Sequence, residues 1–259
     1  MDMPPVSTLF GRRILVTRPA AQAGQTAAMI REHGGEAVLF PCLEVACLPQ
    51  AIRGAAALLT DPTVDIAFTS ANGVHCVAEA LLPAERTLLG RHRLAAVGEK
   101  TAQAMADHGW QASIIAATAS QDGLIEAYQH HNLPGRLLLF RAEEGRDTLP
   151  DWLQRQGVDV TTVHAYRTVC PDADASAVIA DLRRGAIDAV LLGSPKTAAH
   201  YLRRIGDAAL AARPVLVAIS PDVARAAERL GLGVQVVAGT ASFSSMLDAL
   251  AQHYQTSTE

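Results

Sequence analysis

The chain carries much of its first half a second time. Gly11-Arg12-Arg13-Ile14-Leu15 returns as Gly135-Arg136-Leu137-Leu138-Leu139, and Phe68-Thr69-Ser70 as Leu192-Gly193-Ser194, each pair offset by 124 residues. Ala96-Val97-Gly98 matches Ala218-Ile219-Ser220, and Gly109 matches Gly231, at an offset of 122. A near-constant offset of about half of 259 residues implies a duplicated supersecondary unit.

Within each copy, short apolar runs alternate with helical patterns. Residues 13–17 are followed by Arg18-Pro19 and a helical pattern over 20–33 that stops at Gly34-Gly35. Further strands are expected at 65–69, 93–97, 112–116, 136–140, 158–163, 188–192, 214–219 and 234–238, and a last helix over 241–254. Strand and helix in alternation imply parallel sheets covered on both faces, with right-handed crossovers.

Two longer runs, 38–49 and 163–171, each close on a proline and read as strands crossing between two lobes. Counting strands on either side gives an α/β fold of two lobes, each with a parallel five-stranded sheet, joined by a two-stranded β tether. The expected division is 1–41 with 171–259 as a discontinuous lobe, 48–163 as an inserted lobe, and 42–47 with 164–170 as tether strands. Tyr166 lies in the second crossing run. It is either a half-buried strand residue or a phenol at the floor of a cleft.

Charge and composition narrow the partners. A net charge of −4 argues against a nucleic-acid binder. Among the apolar runs none reaches the ~20 residues of a membrane helix, and no basic segment followed by an apolar one opens the sequence. A soluble, cytoplasmic protein is expected, with loose ends at 1–8 and 255–259. Cys42, Cys47, Cys76 and Cys170 show no C-x-x-C spacing and are expected as reduced thiols. Nine scattered histidines suggest no metal site.

Ligands of parallel α/β sheets bind beyond the carboxyl ends of the strands. Those positions carry Thr17-Arg18, Thr69-Ser70, Gly98, Lys100, Thr101, Arg141, Ser194, Lys196 and Ser220-Pro221. Hydroxyls, open amides and cations suit carboxylates or phosphates. The plainer reading makes the serines helix caps and the cations solvated surface. Both lysines of the chain, among 22 basic residues, fall in these turns. Motifs for nucleotides, zinc hydrolysis or a serine nucleophile are absent, so no cofactor and no metal are expected.

Leu15-Val16-Thr17-Arg18-Pro19, Phe68-Thr69-Ser70-Ala71-Asn72-Gly73-Val74, Ala96-Val97-Gly98-Glu99-Lys100-Thr101-Ala102 and Tyr166-Arg167-Thr168 occur in that order. On those motifs the chain resembles the uroporphyrinogen-III synthase family over almost its whole length. The resemblance implies two flavodoxin-like lobes and a cofactor-free lyase that cyclises an anionic linear tetrapyrrole, hydroxymethylbilane, with inversion of ring D. It implies Tyr166 as the catalytic residue, with Ser70, Lys100, Thr101 and Ser194 lining the cleft; Arg18, Gly98, Arg141 and Lys196 are added as expected substrate contacts from their place at the strand ends. A monomer is expected. Gly193, Ser220 and Val223 depart from the family pattern, which leaves a non-catalytic regulatory or metabolite-binding module on the same frame as the alternative.

Overall fold

The computed structural model describes residues 9–256. The expected loose N-terminus, 1–8, lies outside the described residues, as do 257–259. Gln255 and Thr256, also expected to be loose, instead complete the last helix, Phe243–Thr256. The chain divides into two compact units, Met1–Glu44 with Val169–Glu259, and Val45–Thr168.

In chain order the described strands are β1 (Arg13–Val16), β2 (Glu36–Leu39), β3 (Glu44–Cys47), β4 (Val64–Phe68), β5 (Leu94–Ala96) and β6 (Ile114–Ile115). They continue with β7 (Arg136–Ala142), β8 (Asp159–Val169), β9 (Ala189–Leu192), β10 (Val215–Ala218) and β11 (Val236–Val237). The first unit holds a parallel five-stranded sheet in the order β2-β1-β9-β10-β11. The second holds a mixed six-stranded sheet in the order β3-β8-β7-β4-β5-β6.

The expected five-stranded second sheet is therefore corrected to six. The 38–49 run does not form one strand. It breaks around Pro41 into β2, which joins the first sheet, and β3, which joins the second. Proline has no amide to give a ladder and is found at strand breaks and edges. β8 is one continuous strand of 11 residues, so its outer edge would expose a long row of unpaired amides and carbonyls; β3 covers part of it.

Alternation of side chains explains why both faces of each sheet are covered. In the first sheet, Leu15, Val190, Leu192, Leu216 and Ala218 enter one apolar cluster, while Ile14, Val16, Leu191 and Val217 enter another. In the second, Ile66, Phe68, Leu138 and Phe140 face one cluster, and Ala67, Leu137 and Leu139 the opposite one. Helices Pro49–Gly54 and Pro83–Leu89 were not legible as apolar periodicity; each opens on a proline at its first position, where the missing amide costs nothing.

The cysteines also differ from expectation. Cys47 of β3 and Cys76 of the helix Ala71–Ala80 form a disulfide with Cα atoms 5.3 Å apart, while Cys42 and Cys170 are free thiols. Spacing along the chain could not show this, because the strand and the helix meet only in the folded unit.

Phe68 is fully buried and stacks on both Phe140 at 5.2 Å and Trp110 at 5.9 Å between ring centroids. Phe68→Ala is expected to destabilise the second unit by about 3–5 kcal/mol, the range for truncating a buried phenylalanine. Hydrogen exchange of the β4 and β7 amides against denaturant is the measurement, and a change under about 1 kcal/mol would remove the stack from the core.

Candidate active site

In each sheet the parallel strands deliver their strand-to-helix turns to one edge, and in five of these turns a serine closes the helix start. Ser70, Ser120, Ser194, Ser220 and Ser242 accept from the amides of Gly73 (3.0 Å), Gly123 (2.9 Å), Thr197 (3.1 Å), Val223 (3.5 Å) and Ser245 (3.1 Å). A capping oxygen that accepts still has its own hydrogen to donate. Ser70 thus keeps a donor for a ligand, whereas the Ser194 hydroxyl is also 2.8 Å from that of Thr197.

The turn after β5 is built differently. Gly98 precedes the helix Glu99–Asp107 and offers no side-chain cap. A Cβ at position 98 would lie 2.9 Å from that of Ala119, so close approach of the two loops requires glycine there. A hollow of about 580 Å³ opens here, lined by Gly98, Glu99, Lys100, Thr101, Ile115 and Ala119 among others. Thr101 is 4% exposed and its amide bonds the Gly98 carbonyl at 3.0 Å. Lys100 and Ile115 are exposed, so an ammonium group and an apolar surface border one space.

Tyr166 belongs to the same unit. The β7–β8 register runs Phe140↔Val163 and Arg141↔His164, then Ala142↔Tyr166, so Ala165 is an extra residue in a β-bulge. Regular alternation would send Ala165 and Tyr166 to opposite faces, yet both enter the same apolar cluster with Val163. The bulge re-aims the tyrosine. Its ring lies over the start of the helix Ala71–Ala80, where a Cβ on Gly73 would be 3.8 Å from Tyr166 Cε1. Tyr166 is 8% exposed.

Second-unit residues of the expected site are thus Ser70, Gly98, Lys100, Thr101, Tyr166 and Arg141. Arg141 differs from the others, being 3% exposed with its guanidinium on Asp147 and on the Ala142 carbonyl. A ligand carboxylate would have to displace Asp147 to reach it.

In the first unit, Arg18, Ser194 and Lys196 follow β1 and β9. Arg18 donates to Gln22 Oε1 (2.7 Å) and Thr26 Oγ1 (3.1 Å), and its guanidinium stands 4.2 Å above the Phe243 ring. Burial lowers its pKa from the ordinary arginine value. Lys196 occupies the second position of the helix Pro195–Ile205 and is half-buried.

Phe243, the residue that sequence reasoning missed here, also explains Gly193. A Cβ at 193 would stand 2.8 Å from Phe243 Cζ, so the ring occupies the room that a side chain on β9's turn would take. Val223 is likewise buried, filling core beneath the turn that Ser220 caps. The bulge did leave a trace in the sequence. Ala165 and Tyr166 are consecutive apolar residues between His164 and Arg167, which breaks the two-residue period.

Fold and turns together define a two-unit α/β protein whose strand-end turns carry donors and cations suited to an acidic ligand. The profile of the family described as uroporphyrinogen-III synthase HemD matches residues 24–248. The uroporphyrinogen-III synthase of Synechococcus elongatus is 30% identical over 196 residues, 74% of each chain, and that of Chlorobaculum parvum 26% identical over 231 residues, 87% of this chain and 92% of the other. Among solved structures, uroporphyrinogen-III synthetase from Helicobacter pylori has a TM-score of 0.60 at 17% identity, covering 93% of this chain and 99% of that one. A mutant uroporphyrinogen III synthase from Thermus thermophilus has a TM-score of 0.57 at 19% identity, covering 95% and 100%. These two likenesses speak for the fold. The chain belongs to the uroporphyrinogen-III synthase family, lyases of haem biosynthesis whose substrate is hydroxymethylbilane. The non-catalytic alternative is not favoured.

If Phe243 and Gly193 exchange volume, Gly193→Thr alone should destabilise the first unit by about 1–3 kcal/mol through overpacking. Gly193→Thr with Phe243→Ala should cost less than the sum of the two single changes, read as a double-mutant cycle by chemical denaturation. Strict additivity would separate the two positions.

Proposed function

We propose that the chain closes hydroxymethylbilane to uroporphyrinogen III with Tyr166 assisting departure of the terminal hydroxyl. The observation that carries the assignment is the bulge at Ala165, which aims the Tyr166 ring toward the helix start at Ser70–Gly73. The C–O bond breaks with its electron pair on the oxygen, to which the phenol hydrogen-bonds. An azafulvenium cation remains. The crowded carbon of ring D attacks it through a spiro intermediate, and rearrangement inverts that ring before closure.

Much of the task is positioning, since a long flexible substrate must present one particular carbon to the cation. Each ring brings two carboxylate arms, and the turns carrying Ser70, Gly98, Lys100 and Thr101, with Ser194, Lys196 and Arg18, are read as their receivers. Arg141 joins them on release of Asp147. The strand order supports a flavodoxin-like reading of both units: β2-β1-β9-β10-β11, and β8-β7-β4-β5-β6 with β3 added at the edge, follow one order with the chain entering at different points. Residues 1–41 with 171–259 and 48–163 are taken as the two lobes, with 42–47 and 164–170 between them. No described helix is long and apolar enough to cross a membrane, and a cytoplasmic monomer is the reading adopted.

Tyr166→Phe keeps the ring and removes the donor. Turnover to the type III isomer should fall by roughly 10²-fold, the scale of general-acid assistance, with little change in stability. Turnover within a few-fold of wild type would reduce Tyr166 to a packing residue. Lys100→Ala should raise KM by about three- to tenfold at low salt and weaken the salt dependence of KM, leaving kcat within about twofold. The assay must separate the type III from the type I product, because spontaneous closure would otherwise mask a dead enzyme.

A further inference from the structure

Cys47 and Cys76 join two elements that both touch the surroundings of Tyr166. Cys47 ends β3, and the amide of the next residue, Leu48, donates to the Ala165 carbonyl at 2.8 Å, one peptide before the tyrosine. Cys76 lies in the second turn of the helix Ala71–Ala80, whose first-turn Gly73 is against the Tyr166 ring and whose start Ser70 caps. The disulfide completes a circuit: Cys47, Leu48, Ala165, Tyr166, Gly73, Cys76 and back to Cys47.

We propose that Cys47 and Cys76 are positioning residues for Tyr166 and form a thiol-exchange site, so that their redox state sets turnover. The inference rests on the role given to Tyr166 above. β3 is a four-residue edge strand, the kind of element that opens locally at little cost, and the disulfide is its covalent tie to the helix. Without that tie the helix stays packed through Val74 and Val77, both fully buried. The fold persists while the enclosure of the tyrosine loosens.

The exchange step is direct. Cys47 is half-buried and Cys76 only 2% exposed, so a dithiol reductant attacks the Cys47 sulfur. The S–S bond breaks with its electron pair on Cys76 Sγ, which takes a proton. The second thiol of the reductant then displaces Cys47, leaving two protein thiols and one oxidised dithiol. Exchange through Cys42 is disfavoured. Cys42 is fully buried, and its thiol is pushed up to about 12 by that burial, so it supplies little thiolate. In a reducing cytoplasm such a pair alternates between states instead of remaining locked.

Chain purified without reductant should give, on peptide mapping, a linked Cys47–Cys76 pair and two alkylatable thiols after denaturation; dithiothreitol should raise these to all four. Reduction should lower kcat for the type III isomer by roughly three- to tenfold, less than the ~10²-fold of full misplacement, with KM within about twofold. Hydrogen exchange should quicken in residues 44–48 and 71–80 and not in the first unit. Cys47→Ser/Cys76→Ser should match the reduced wild type and ignore dithiothreitol; if that variant does not fold, the oxidised and reduced wild type still decide. A different pairing, equal kcat in both states, or a change in KM alone would overturn the proposal. If Tyr166→Phe lowers turnover but the redox state does not, this inference fails alone. If Tyr166→Phe keeps full turnover, the Tyr166 reading fails and the positioning role goes with it, whatever exchange shows.

Discussion

Strands of a parallel sheet all point one way, so every strand-to-helix turn emerges at the same edge, and the rest of this protein follows from that constraint. The central strands β4, β7 and β9 are nearly all buried on both faces because helices must cover both. Backbone amides at the helix starts then collect where the strands end, together with whatever the turns carry. Here they carry serines that cap and still donate, a glycine with no cap, and both lysines of the chain. An edge of that kind suits a substrate dense in carboxylates better than it suits a neutral one.

A parallel edge gathers donors and cations, but it does not set the aim of a side chain within a strand. The local irregularity in β8 does that for Tyr166. One extra residue, Ala165, puts Tyr166 on the face its neighbours would deny it, and the same deviation leaves the Ala165 carbonyl to the Leu48 amide beyond β3. β3 therefore has two uses: it covers an exposed strand edge, and it braces the peptide next to the tyrosine. β8 runs without a break from Asp159 to Val169, and its N-terminal part is paired with β7 in the sheet.

Element type was largely legible in the sequence because buried parallel strands are short, apolar and bounded by turns, a pattern that survives without knowledge of partners. The duplication at offsets of 124 and 122 residues made the two-sheet plan legible as well. What stayed hidden depends on contacts between distant residues. Pro41 separates β2 from β3, but nothing local says that they join different sheets. The Cys47–Cys76 bond needs the meeting of a strand and a helix, and the engagement of Arg141 by Asp147 needs the path of a loop. At the strand ends the residue types were visible; for Tyr166 the sequence holds only the broken period at Ala165-Tyr166, because the register shift itself belongs to the pair of strands and not to either one.

The departures from the family pattern show how far such reading can mislead when each position is taken alone. A glycine at 193, read as a departure from the family pattern, looks like a lost contact. In the folded unit that space belongs to Phe243, and Arg18 lies on the ring's face 4.2 Å from its centroid. The last helix fills the space beside the turn, and the aromatic face braces the guanidinium. Val223 repeats the logic, as a buried apolar side chain below a turn that Ser220 still caps. A parallel edge presents its amides through backbone geometry, so what fills the space beside a turn and what the turn's amides offer are separate questions.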